Sequence, residues 1–241
     1  MTPTLLQVLL ISAIPVGAAF LGATVAALRP PGPVIRSSIQ HFAAGVIFSV
    51  VAVELLPEVR RGHDPFEVGW TFAAGLALML AIDALVKRFN HAGQESGARG
   101  PSPGQLVPIG VDLLIDGLLI GIAMTAGMKQ GVLLTIALTL ELFSLGLAMA
   151  VEFRGSRMAV RILAPTAIAC LMIVGAVLGQ TILASASVHT LAGLLSFGCA
   201  ALLFLVTEEL LVEAHESADT AFTTAMFFLG FLIFLLLGML E

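Results

Sequence analysis

The sequence predicts an all-α polytopic membrane protein of eight transmembrane helices in a 3+2+3 arrangement, with helices 1–3 and 6–8 as inverted repeats around helices 4–5. Three observations carry this. Of 241 residues, 59% are hydrophobic and 11% charged, against about 25% charged in soluble domains, and the mean hydropathy is +1.06. Apolar runs of about 20 residues, the length that crosses a bilayer, recur along the chain. A pentapeptide closes both the second and the seventh run, as Glu54-Leu-Leu-Pro-Glu58 and Glu209-Leu-Leu-Val-Glu213. The length leaves no room for a soluble domain beside eight spans, so residues 1–241 are one transmembrane domain.

The first span is expected at residues 5–28. It lacks a basic leader and exceeds a secretory apolar core, so it reads as a retained helix. Arg29-Pro30-Pro31-Gly32-Pro33 ends it in a rigid turn. The second span, 35–57, carries His41 near its start and Glu54 and Glu58 at its end. A charged loop with Arg60, Arg61, His63 and Asp64 leads to the third span, 66–86, which closes on Lys87-Arg88. Residues 89–105 are rich in Gly, Ser and Pro and form the one long connection, expected to be flexible. Spans four and five follow at 108–127 and 131–153, joined by a short link holding Lys129. The sixth is expected at 158–180, the seventh at 189–212 and the eighth at 221–240. An acidic group of Glu208, Glu209, Glu213, Glu216 and Asp219, with His215, ends the seventh.

Sorting the eleven basic residues by alternate connections gives an orientation. One side holds Arg29, Arg36, Lys87, Arg88, Arg99, Arg154, Arg157 and Arg161; the other holds Arg60, Arg61 and Lys129. The positive-inside rule makes the first side cytoplasmic and both termini extracytoplasmic. The two pentapeptides then lie at opposite faces, as inverted repeats require, and binding at the midplane of such repeats is a recurring transporter design.

The chemistry concentrates in spans four and five. Asp112 and Asp116 share a helix face, four residues apart, and Gly117 follows at once. Glu141 lies at a similar depth in the next span, with Ser144 one turn on. A carboxylate at mid-span costs about 2.5–3.5 kcal/mol on insertion scales, and like charges one turn apart add repulsion. Such acids persist when protonated, when they line a water-filled cavity, or when a cation neutralises them. No basic residue lies beside them in sequence, which points to a cation or proton pathway.

At these residues the chain resembles the ZIP (Zrt-, Irt-like protein) family of divalent metal transporters. That family has eight spans, both termini outside, a long cytoplasmic connection after span three and a metal site between spans four and five. Its fourth span carries His-Asn-x-x-Glu/Asp-Gly, and the matching positions here are Asp112, Leu113, Asp116 and Gly117. Its fifth-span motif falls on Glu141, Leu142, Ser144 and Leu145, and Leu56-Pro57-Glu58 resembles its ending of span two. Leu113, Leu142 and Leu145 cannot coordinate a metal. The resemblance therefore implies a divergent member with one metal position, made by Asp112, Asp116 and Glu141. The connection after span three has only His91, so a His-rich buffering loop is absent.

The resemblance also implies the cargo and the setting. The expected substrate is a divalent ion of the Zn, Mn, Fe, Co or Cd class, moved into the cytoplasm across a bacterial inner membrane by alternating access. A homodimer is implied as well. Oxygen-only ligands suit Mn²⁺, Fe²⁺ or Mg²⁺ better than zinc, which favours nitrogen or sulfur partners. Ser144 is either a weak ligand or a helix back-bond. His41 is either an exit ligand or a hydrogen-bonded structural histidine. Glu54 and Glu58 are an outer entrance or a solvated helix end. Glu208, Glu209, Glu213 and His215 either collect departing cations or form a charged loop.

The remaining residues read more plainly. Asp83 and Lys87 are expected to pair at i, i+4. Gly117 with Gly121, and Gly146 opposite, fit close helix packing. Cys170 and Cys199 are expected to be packed apolar residues, the methionines packed or lipid-facing, and Trp70 an interfacial anchor. No enzymatic activity, organic cofactor or nucleic-acid partner is expected. A proton-coupled carrier of another small substrate is the alternative, though a chain without tyrosine is poor in pocket-defining groups. An intramembrane acid-type enzyme would need aspartates on facing helices, whereas here both lie on one span.

Overall fold

The chain was analysed as a computed structural model, in which residues 4–60, 64–93, 103–183, 188–215 and 220–240 are described. Among the described residues every regular element is helical, and eight helices are long and apolar enough to cross a membrane. Helix α1 is Leu5–Leu28, and α2 is Pro33–Arg60 with a π turn, Val51–Leu55, inside it. Then come α3 (Pro65–Gly93), α4 (Pro103–Ala126), α5 (Met128–Glu152) and α6 (Met158–Leu183). Helix α7 covers residues 188–214 as Val188–Phe204, the π turn Leu205–Leu210 and Leu211–Ala214, and α8 is Ala221–Leu240.

All eight expected spans are present, and the differences lie at their ends. Helix α2 starts at Pro33, two residues earlier than expected, because proline fits the first helical position, where no N–H partner is needed. Helix α3 runs past Lys87 to Gly93 and α4 begins at Pro103. Hydropathy reports the apolar part of a helix, and both helices continue into polar sequence beyond it. The connection expected at 89–105 is thereby narrowed to residues 94–102. Those lie outside the described residues, as do Arg61, His63, Arg99, Glu216 and Asp219. Cys199 is buried as expected, but Cys170 is exposed. It shares the outward side of α6 with Leu163, Leu171, Val174 and Leu178, which are exposed too.

Helices that are apolar all round gain no hydrophobic drive by meeting in lipid, so close backbone contact must hold them together. Glycines provide it. On α4, Gly117 and Gly121 lie against the backbone of α6 at Met172 and Ala176, and Gly175 and Gly179 of α6 lie against Leu114 and Leu118. The α1–α5 pair is built alike, with Gly22 on Phe143 and Gly146 on Ala19. Gly117 and Gly146 are therefore packing residues, as expected, but against α6 and α1 rather than against each other. Helices α2 and α8 meet through Gly45 at Phe227 and Gly230 at Phe42, and α3 meets α7 at Gly75.

These contacts come in matching sets. Helix α1 packs on α5 as α6 packs on α4, and α2 packs on α8 as α7 packs on α3. The boundaries match too: Leu28 and Leu183 end α1 and α6, and Leu55 and Leu210 end the two π turns. The interval is the same in both cases, 155 positions (183 minus 28, 210 minus 55). Helices α2, α5 and α7 are the most enclosed, and α3 and α8 the least. Within this frame α4 and α5 run side by side.

Candidate functional site

Asp112 and Asp116 stand one turn apart on α4, and Glu141 reaches them from α5. One carboxylate oxygen from each lies within 4.8 Å of the other two. Their orientation follows from glycine packing. Gly117 directly follows Asp116, so its face lies about 100° round the helix. Pressing that face onto Met172 of α6 fixes the rotation of α4 and leaves the aspartates turned toward α5. Asp116 stands at the middle of the apolar stretch Leu106–Ala126, and Glu141 is near the middle of α5.

Asp116 and Glu141 are only 2% and 5% exposed, and Asp112 is half-buried. Asp116 Oδ2 and Glu141 Oε2 have no hydrogen-bond partner among the described residues. Nor does any Lys, Arg or His among the described residues form an ion pair with the three acids. The three acids lie close enough to act on one another. A buried carboxylate with neither cation nor donor is costly. Oxygens around a divalent ion sit about 2.0–2.6 Å from it, hence roughly 3–4 Å apart. Small side-chain rotations convert the present spacing into such a set. Ser144 is buried on the same helix as Glu141.

The other candidates fall at the two ends of the bundle. At one end, Glu54 in the π turn of α2 is ion-paired at 3.5 Å with Lys129, at the start of α5. Lys129 also donates to the carbonyl of Gly238 on α8 at 3.0 Å. Glu54 is thus a partnered acid, and Glu58 is half-buried beyond it. At the other end, Glu213 is ion-paired with Arg36. His41 is buried and lies 2.9 Å from the carbonyl of Ser37 through Nδ1, while its ring faces that of His215 at 5.1 Å. The His215 ring is in turn hydrogen-bonded to Leu211. Glu208 and Glu209 are exposed in the π turn of α7. Asp83 and Lys87 pair at 2.6 Å, as their spacing predicts.

Sequence reasoning missed three features: the clasp of Lys129 on Glu54, the pairing of Arg36 with Glu213, and the π turns. In a π turn the N–H of residue i bonds to the carbonyl at i−5, as Leu56 does to Val51 and Leu211 to Val206. Pro57 accounts for the disturbance in α2, but Val212 holds the same place in α7, so proline is not the common cause. The acid of the repeated pentapeptide is common to both turns, and it was the available signal. Compared with protein-family models and with curated proteins, the chain matches none.

Proposed function

We propose that this chain is a divalent metal transporter, a divergent relative of the ZIP family, whose substrate ion binds between Asp112, Asp116 and Glu141. The observation that carries the reading is the pair of buried oxygens, Asp116 Oδ2 and Glu141 Oε2, that find neither a hydrogen-bond partner nor a cation among the described residues. A dication supplies what these acids lack, and three carboxylates outweigh its charge, so a proton or water can complete the site. Where the family carries further ligands, Leu113 and Leu142 are fully buried apolar residues, which favours a single metal position. Oxygen donors place Mn²⁺ and Fe²⁺ ahead of Zn²⁺ as cargo.

The matching packing sets and the common interval support an inverted pairing of α1–α3 with α6–α8 around α4 and α5. Placing the Arg-rich end in the cytoplasm of a bacterial inner membrane puts the Lys129–Glu54 clasp outside and the Arg36–Glu213 pair inside. Each ties α2 to another helix at one face of the bundle. Alternating access then opens one tie at a time, so the ion enters from outside, sheds water at the acids and leaves past Glu209, His41 and His215.

The test is uptake of Mn²⁺, Fe²⁺, Zn²⁺, Co²⁺ and Cd²⁺ into vesicles holding the purified chain. Asp116→Ala and Glu141→Ala are expected to abolish it. Uptake at the wild-type rate in both variants would remove the site assignment.

A further inference from the structure

The end of the bundle that carries Arg36 and Arg154 encloses a cavity of about 310 Å³. Pro31, Pro33, Arg36 and Gln40 line it from the α1–α2 turn and α2, Val151 from the end of α5, Arg154 from the turn that follows it, and Glu213 from α7. Gln40 follows Arg36 by four residues, so both project from one face of α2. Gln40 is 1% exposed, and its Nε2 donor has no partner among the described residues. A buried amide donor left unpaired is destabilising. Something that accepts a hydrogen bond removes that cost.

The charges around the cavity indicate what that acceptor is. Arg36 and Glu213 neutralise each other as an ion pair. Among the described residues Arg154 donates through Nε alone, to the carbonyl of Val151 at 3.3 Å. Its two terminal nitrogens keep their donors, in the planar fork that suits oxyanions. The start of α2 adds to this, because Gly32 offers no side-chain cap and Pro33 follows it. A helix N-terminus carries partial positive charge and uncapped N–H groups. One net cation, one orphan amide and one open helix start therefore converge on the same space.

We propose that this cavity binds a phosphate-class oxyanion between Arg154, the Gln40 amide and the start of α2. Two sources share this chemistry: the headgroup of an anionic lipid in the adjoining leaflet, and dissolved phosphate. Basic pockets between membrane helices at this depth suit lipid headgroups. The site is separate from the three-carboxylate cluster and does not depend on what that cluster binds. A bound phosphate would brace the joint between α2 and the α5–α6 connection, beside the Arg36–Glu213 pair.

The experiment uses the full chain in neutral detergent. One arm adds phosphatidylglycerol, with phosphatidylcholine of the same chains as reference, and counts retained lipids by native mass spectrometry. The other titrates inorganic phosphate and follows thermal stability. The wild type is expected to retain phosphatidylglycerol over phosphatidylcholine, to be stabilised by phosphate, or both; the arm that responds identifies the source. Arg154→Gln and Gln40→Leu should weaken the response at least tenfold, and Arg157→Gln, exposed and outside the cavity, should not. Arg154 is exposed, so its variant reads binding even if Gln40→Leu folds poorly. No response in either arm would overturn the proposal, and so would equal losses in Arg154→Gln and Arg157→Gln.

Discussion

Glu54 and Glu209 hold the same place in the two π turns, yet among the described residues only Glu54 has a cation. Lys129 stands 3.5 Å from Glu54, whereas Glu209 has no ion pair among the described residues. One half of the chain thus uses this acid in a structural tie and the other does not. That difference gives the bundle two unlike ends.

Removing the tie should be measurable. Glu54 is nine-tenths buried and Lys129 about a third exposed, so Lys129→Ala strands a largely buried acid at a cost of about 1–3 kcal/mol. Adding Glu54→Gln to Lys129→Ala should recover most of that loss, because the stranded charge disappears. Thermal unfolding of the two single variants and the double variant in one detergent checks it; strictly additive losses would mean that the pair is not coupled.

Helix packing yields a second expectation. A Cβ at Gly117 would collide with the backbone of Met172, while one at Gly17 meets nothing within 4 Å. Gly117→Ala should therefore lower the melting temperature and spread the carboxylates by displacing α4. Gly17→Ala should be neutral or stabilising by up to about 1 kcal/mol, from helix propensity alone. Equal melting temperatures in the two variants would contradict the packing account.

Much of this was legible in the sequence, and what was not has physical reasons. Eight apolar runs and the i, i+4 spacing of Asp112 and Asp116 are local patterns, and they located the helices and one face of the acidic cluster. The depth of Glu141 placed it at the right level, and the structure turns it toward the aspartates. Lys129 and Arg36 escaped because their partners are distant in sequence: Glu213 lies 177 positions from Arg36, and no periodicity encodes such a pairing. Gln40 escaped for another reason. A lone glutamine in an apolar run resembles any hydrogen-bonded core residue until its surroundings are known.

Like charges held together without a partner should also leave a trace in the metal-free protein. In the presence of a chelator at neutral pH, Asp112→Asn is expected to raise stability by roughly 1 kcal/mol, by removing one member of the repelling set. Adding Mn²⁺ should then stabilise the wild type and not the variant. A variant less stable than wild type under chelation would show that Asp112 is held by a bond rather than strained by its neighbours.

Protons and metal ions compete for the same oxygens, which sets the sign of the pH dependence. Acidification protonates the carboxylates and must weaken binding, by about tenfold per pH unit for each proton displaced. Titrating Mn²⁺ binding between pH 5 and 8 should give a dissociation constant that falls as pH rises. A constant independent of pH over that range would show that the ligands carry no exchangeable proton.

The most direct test of the central claim is equilibrium binding of divalent ions to the purified full chain, beside the double variant Asp116→Asn/Glu141→Gln. The account predicts one tightly held ion per chain in the wild type and none in the variant, with the helical content of the two unchanged. A wild type that holds no divalent ion, or a variant that holds one as firmly, would contradict it.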